Sequence, residues 1–233
     1  MIKKALLIQI RDDKKIAAQE YKSFLRLAKK AGVSLSKVNA CYQNLPLANL
    51  LKKYDAFLIG GSEFSVERMF PKKAKVNTLI QKVIKDQKPF LGICFGFQLL
   101  IEVMGGKIIK TEKTKEFGTV SIAFVKKQEK ILNNLPHKLI VQQAHYWGCF
   151  KNPKNTELLS VGKNSLIQGI KVKNAMAYGF QFHPELTRKD MIDRMKLYNQ
   201  KNNSSYKFST EDMKKIKQSV LSEQVITNFL ANY

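Results

Sequence analysis

Short, unbroken apolar runs alternate along this chain with longer stretches of helical period. That alternation predicts an α/β fold with a buried, mostly parallel central sheet flanked by helices, because strands covered on both faces have no polar side to show. Ala5–Ile10 reads as the first strand and Ala18–Ala31 as a helix with Tyr21, Phe24, Leu25 and Ala28 on one face. Strands are expected at Ser34–Cys41, at Asp55–Ile59 running into Gly60-Gly61, and at Pro89–Ile93 running into Cys94, with helices over Asn77–Lys85 and Phe97–Met104. From Gly105 the texture changes. Lys107–Ile109, Thr119–Val125, Leu139–Gln143, Thr156–Val161, Ile167–Val172 and Ala175–Phe182 are strand-like and separated by turn residues, so this later half is expected to be antiparallel in part. Helices are expected at Arg188–Asn199 and Thr210–Ala231, joined by the polar stretch from Lys201 to Ser209, with Ser209 and Asp212 as a capping box. No internal repeat or long interior linker divides the chain, which is read as one domain over residues 1–233 with a helical extension from about residue 187.

Composition narrows the class of protein. At 233 residues with 44% hydrophobic and 10% aromatic content, the chain has material for a full core, which excludes a disordered basic tail despite 41 Lys+Arg against 18 Asp+Glu and a net charge of +23. Arg11, Arg26, Arg68, Arg188 and Arg194 are the only arginines, and the lysines are spread as pairs along the chain. Base readout favours arginine, so the charge is read as solvated surface rather than a nucleic-acid site. Cys41, Cys94 and Cys149 are odd in number and far apart without a CxxC pair, which argues against a disulfide framework or a zinc site. The apolar run Ala5–Ile10 is half the length of a membrane span and has no cleavage site after it, so a cytoplasmic protein with reduced thiols is expected.

The chemistry concentrates in two places. In Phe90-Leu91-Gly92-Ile93-Cys94-Phe95-Gly96-Phe97-Gln98, a cysteine lies between strand and helix with a glycine two positions to either side. A sharp strand-to-helix turn crowds the backbone at those flanking positions, and it lifts Cys94 to the sheet's carboxyl edge at a helix N-terminus, whose dipole favours a nucleophilic thiolate. The base is His183 in Phe180-Gln181-Phe182-His183-Pro184-Glu185. Residues two apart in an extended chain face the same side, so Glu185 can orient one imidazole nitrogen and leave the other for Cys94. Oxyanion donors are expected from the backbone at Gly60-Gly61, which ends the preceding strand at the same edge, and from the amide of Phe95.

These pieces, with Gly60-Gly61-Ser62-Glu63-Phe64-Ser65 and Glu116-Phe117-Gly118 between them in order, make the chain resemble a class I, triad-type glutamine amidotransferase over roughly residues 55 to 186. It is similar in particular to stand-alone GMP synthase-like amidotransferases, which also carry helices after His-Pro-Glu. The resemblance implies a flavodoxin-like α/β sheet and a cofactor-free, metal-free reaction. Cys94 would form a γ-glutamyl thioester from glutamine, His183 would protonate the departing ammonia and then activate water, and Glu185 would orient His183. Gly61 and Phe95 amides would hold the oxyanion, and Gly60, Gln98, His145 and Tyr146 would contact the substrate.

One departure stands out. Where the family often has a His-Gly-Asp-like stretch, this chain has His145-Tyr146-Trp147. Either the aromatic pair faces the core, or it reshapes the pocket for a γ-glutamyl or other amide compound, so a cysteine hydrolase of such a compound stands as the alternative activity. A third alternative is a non-catalytic binding module that uses the basic surface. Neither a P-loop nor a Ser-Gly-Gly-x-Asp-Ser pyrophosphate loop occurs in these residues, so an ammonia-accepting synthetase is expected on a separate chain.

Overall fold

The computed structural model describes residues 3–66, 70, 72–126, 128–163, 166–201 and 206–233. In chain order the elements are β1 (Lys4–Gln9), α1 (Lys14–Lys30), β2 (Ser34–Asn39), α2 (Leu47–Lys53), β3 (Ala56–Ile59), α3 (Lys73–Lys85), β4 (Phe90–Ile93) and α4 (Phe95–Val103). There follow β5 (Ile109–Lys110), β6 (Glu116–Phe124), β7 (Lys138–His145), β8 (Trp147–Gly148), β9 (Thr156–Val161), β10 (Ile167–Val172) and β11 (Ala177–Phe180). The helices α5 (Arg188–Gln200), α6 (Thr210–Lys214) and α7 (Gln224–Asn232) close the chain.

A nine-stranded sheet runs β2-β1-β3-β4-β11-β10-β9-β6-β7. The pairings from β2 to β11 are parallel and those from β11 to β7 antiparallel, as the change of texture after Gly105 predicts. Both faces of the inner parallel strands β1, β3, β4 and β11 are covered, which is why these read as apolar runs, whereas the edge strand β2 mixes buried and exposed positions. Leu6 and Ile8 of β1 pack with Leu79, Ile80 and Phe97 of α3 and α4, while Ala5 and Leu7 pack with Phe24 and Leu27 of α1 and Phe229 of α7. Among the described residues no helix is long and apolar enough to cross a membrane.

Side-chain caps set the starts of α1, α5 and α6. Helix α1 begins four residues earlier than its apolar period suggests, because Asp13 caps it by accepting from the amides of Lys15 and Ile16 at 2.8 and 2.9 Å. Both Thr187, before α5, and Ser209, before α6, form capping boxes with the aspartate three residues on. The expected helix over Thr210–Ala231 is corrected: it is interrupted between α6 and α7. The Lys217 amide donates to Thr119 Oγ1 and its carbonyl accepts from Gln142 Nε2, both at 2.8 Å, so strands β6 and β7 take the backbone groups that a continuous helix would need. Ile216 packs beside Leu186, Met191 and Met195, whereas α7 turns Val225, Ile226 and Phe229 to the sheet. Part of the polar joint before Ser209, residues 202–205, lies outside the described residues.

Candidate active site

Strands β3, β4 and β11 are neighbours and parallel, so their carboxyl ends deliver Gly60-Gly61, Cys94 and His183 to one edge of the sheet. Cys94 sits at φ 54° and ψ −99°, a left-handed conformation rare for a residue with a side chain and characteristic of a nucleophile held on a strained turn. Three backbone hydrogen bonds hold it there. The Cys94 amide donates to the Phe180 carbonyl at 2.8 Å, Gly96 to Gly60 at 3.1 Å, and Gln98 to Cys94 at 3.0 Å. The flanking glycines are required by close approach: a Cβ at Gly92 would lie 2.4 Å from the Gly96 carbonyl oxygen, and one at Gly96 would lie 2.4 Å from that of Ile59.

The cysteine is only 5% exposed and His183 3%. His183 Nδ1 and Glu185 Oε1 are 2.7 Å apart. Burial works against the Glu185 carboxylate, but the charge and hydrogen bond of His183, followed by the charge of Arg194, hold its pKa below the usual value. Glu185 is therefore ionised and accepts, which puts the proton on Nδ1 and leaves Nε2 for the cysteine. For His183, burial alone would depress the pKa. The negative charges of Glu185 and Cys94, and hydrogen bonds to both side chains, outweigh it and raise the imidazole to about 10. An imidazolium beside a sulfur nucleophile is the arrangement that a proton donor to a departing amine needs.

The remaining residues singled out in the sequence fall into different surroundings. Phe95 opens α4, where its N–H has no carbonyl one turn earlier in the helix to bond. The Gly60 carbonyl is committed to the elbow, and the Gly61 N–H donates to Glu20 Oε1 at 3.1 Å. Gln98 is buried, and its amide nitrogen donates to the Trp147 carbonyl at 3.1 Å and to Gln181 Oε1 at 3.2 Å. Gln181 in turn directs Nε2 at Cys94 Sγ, 3.8 Å away. Sequence reasoning passed over Gln181, although a glutamine between two buried phenylalanines is a signal, since a polar group there must find a buried partner. His145 pairs across the sheet with Glu116, its Nε2 3.3 Å from Glu116 Oε2, within a buried network that adds Gln143 and Gln168.

The aromatic pair divides. Trp147 packs against the core, whereas Tyr146 joins a cluster with Phe117 (4.8 Å between centroids) and Tyr206 (5.2 Å), and Tyr206 stacks on Tyr198 at 4.9 Å. Burial, and then the charges of Tyr198 and Cys94, push the Tyr206 phenol far up. Two residues that the sequence does not connect with the site also reach it. Arg11 and Glu20 form a fully buried ion pair at 2.7 Å, and a Cβ on Gly61 would lie 2.7 Å from Arg11 Nη2 and 2.9 Å from His183 Cε1.

A cysteine on a strand-to-helix elbow and a carboxylate-paired histidine thus lie at one edge of an α/β sheet, and the sequence shows which family this is. Residues 18–198 match the profile of the family described as glutamine amidotransferase class-I, and the chain belongs to that family. Within it, the chain is 31% identical over 137 residues to a protein of Sulfurisphaera tokodaii named as a subunit of glutamine-hydrolyzing GMP synthase, covering 59% of this chain and 70% of that one. It is 35% identical over 99 residues to the longer glutamine-hydrolyzing GMP synthase of Aquifex aeolicus, covering 42% of this chain and only 19% of that one. The crystal structure of a glutamine amidotransferase from Thermotoga maritima superposes over the full length of both chains with a TM-score of 0.76 at 19% identity, a likeness of fold.

Proposed function

We propose that this chain hydrolyses the side-chain amide of glutamine through a Cys94 thioester and passes the ammonia to a synthetase on a separate chain. The observation that carries the reading is the convergence of Cys94 with the buried His183–Glu185 pair at the carboxyl ends of β4 and β11. Cys94 Sγ attacks the amide carbon, and the charge on the carbonyl oxygen is taken up by the N–H groups of Phe95 and Gly61. His183 gives its Nε2 proton to the nitrogen as the C–N bond breaks, and ammonia leaves. Water then gives a proton to the same imidazole nitrogen and adds to the thioester, and Cys94 departs with glutamate released. Glu185 keeps the imidazole in register through both halves.

The synthetase partner is inferred from the name of the Sulfurisphaera relative, which is one subunit of a synthase. The test is ammonia release from glutamine by the purified chain, with intact mass revealing the thioester. Cys94→Ala is expected to abolish both, and full activity in that variant would sink the reading. The packing of Tyr146 against Tyr206 rather than into the main core favours a second reading, a pocket shaped for another γ-glutamyl compound. A panel of γ-glutamyl donors decides between them by the ratio of kcat/KM values.

A further inference from the structure

The buried Arg11–Glu20 pair has no part in the chemistry above, and a buried ion pair is a poor source of stability, because taking both charges out of water costs about as much as their attraction returns. Its position is informative. Glu20 Oε1 accepts three donors: Arg11 Nη2 at 2.7 Å, Arg11 Nε at 3.0 Å and the Gly61 amide at 3.1 Å. Oε2 accepts Gln9 Nε2 at 3.0 Å. One oxygen is crowded, and the amide is the longest of its three bonds. Without it, the carboxylate still keeps both arginine donors. Arg11 Nη1 also reaches Glu63 Oε2 at 3.2 Å and the Tyr198 hydroxyl at 3.1 Å, so this guanidinium also ties down the loop just beyond Gly61.

We propose that Glu20 is a positioning residue for the oxyanion donor: in the resting enzyme it holds the Gly61 N–H, and it competes for that proton with the charge that forms on the substrate carbonyl. The proposal rests on the glutaminase reading above. As Sγ attacks, the Gly61 N–H passes from Glu20 to the new oxyanion, and Arg11 keeps the carboxylate satisfied while it does so. Glu20 thus slows thioester formation and leaves substrate binding alone, and Arg11 sets how firmly Glu20 holds the amide.

Two reactions of the same sulfur separate this role from a structural one. Thioester formation with glutamine needs an oxyanion site, whereas alkylation by iodoacetamide displaces iodide at a saturated carbon and needs none. Glu20→Gln keeps an acceptor of the same shape but removes its charge, and a charged hydrogen bond exceeds a neutral one by about tenfold in equilibrium constant. Single-turnover thioester formation is therefore expected to rise up to about tenfold, with KM for glutamine and the alkylation rate unchanged. Arg11→Gln, which leaves the carboxylate leaning on Gly61, is expected to slow thioester formation.

A ratio of thioester formation to alkylation that is equal or lower in Glu20→Gln overturns the proposal, since a purely structural pair would depress both reactions together. The unmutated protein supplies a readout that does not depend on either variant folding. The Gly61 amide proton, bound to a carboxylate at rest, is expected to shift in the NMR spectrum when Cys94 forms a thiohemiacetal with the γ-aldehyde analogue of glutamine. No shift on adduct formation also overturns the role of Glu20. Failure of the unmutated protein to form a thioester with any γ-glutamyl donor would instead refute the glutaminase reading, and the Glu20 role with it.

Discussion

Replacing Gly96 with alanine tests the elbow with the least chemical change. The new methyl carbon would stand 2.4 Å from the Ile59 carbonyl oxygen, 2.9 Å from Ile59 Cβ and 3.0 Å from its carbonyl carbon. Ordinary contact begins near 3.4 Å, so about 1 Å must be opened between α4 and β3, and two of the three obstacles are backbone atoms of a central strand that cannot rotate away. Overpacking of this kind costs about 1–3 kcal/mol. The separation also stretches the hydrogen bond from the Gly96 amide to Gly60, worth about 1 kcal/mol. A total near 3 kcal/mol moves a urea midpoint by about 1 M at a slope near 3 kcal/mol/M. Cys94 rides on the same turn, and a displacement of about 1 Å from the reacting geometry is worth about a hundredfold in rate. Urea unfolding and single-turnover thioester formation measure the two effects separately. A Gly96→Ala protein with both a midpoint within about 0.2 M and a thioester rate within about twofold of the original would refute the packing argument.

Three further outcomes follow from the charges and caps. The folded His183 imidazole, raised to about 10 from an ordinary 6.5, stabilises the protein fully below pH 6.5, and that stabilisation is lost as pH rises through about 10. The lowered Glu185 acts oppositely, its contribution present above pH 4.5 and lost as pH falls through its depressed value. The urea-midpoint gap between the original protein and His183→Gln should therefore be wide at pH 6 and narrower at pH 10; a gap that is constant or widens contradicts the assignment. Cys41 is pushed up to about 11 by burial, then by Asp12 and Glu63, and burial raises Cys149, so limiting iodoacetamide at pH 8 should label Cys94 first, as peptide mapping would show; first labelling of Cys41 or Cys149 would overturn the site. Thr187→Ala removes the cap that accepts from the Asp190 amide at 3.1 Å and is expected to cost about 1 kcal/mol in chemical unfolding without altering KM for glutamine.

What the sequence by itself determined is what a few adjacent residues can enforce. A glycine two positions to either side of Cys94 permits a turn in which helix and strand backbones nearly touch, where any side chain would clash, and the continuous apolar runs of β1, β3 and β4 make sense only with both faces covered. His183 and Glu185 do meet, as expected from their spacing, but on a turn rather than an extended chain: β11 ends at Phe180, and the Leu186 amide donates back to the His183 carbonyl at 3.4 Å across Pro184-Glu185. Other features needed partners distant in the chain, which no local period records. The pairing of β11 with β4 brings His183 to Cys94, the hold of β6 and β7 on Lys217 breaks a helix that its own residues would continue, and Tyr146 meets an aromatic wall supplied by the C-terminal segment. The buried Arg11–Glu20 pair is the sharpest case. In the sequence both are ordinary charged residues near a helix start, and only folding removes them from water and sets one of their oxygens against the Gly61 amide. Burial and competition for a single proton are properties of the packed molecule, so tertiary structure alone decides them.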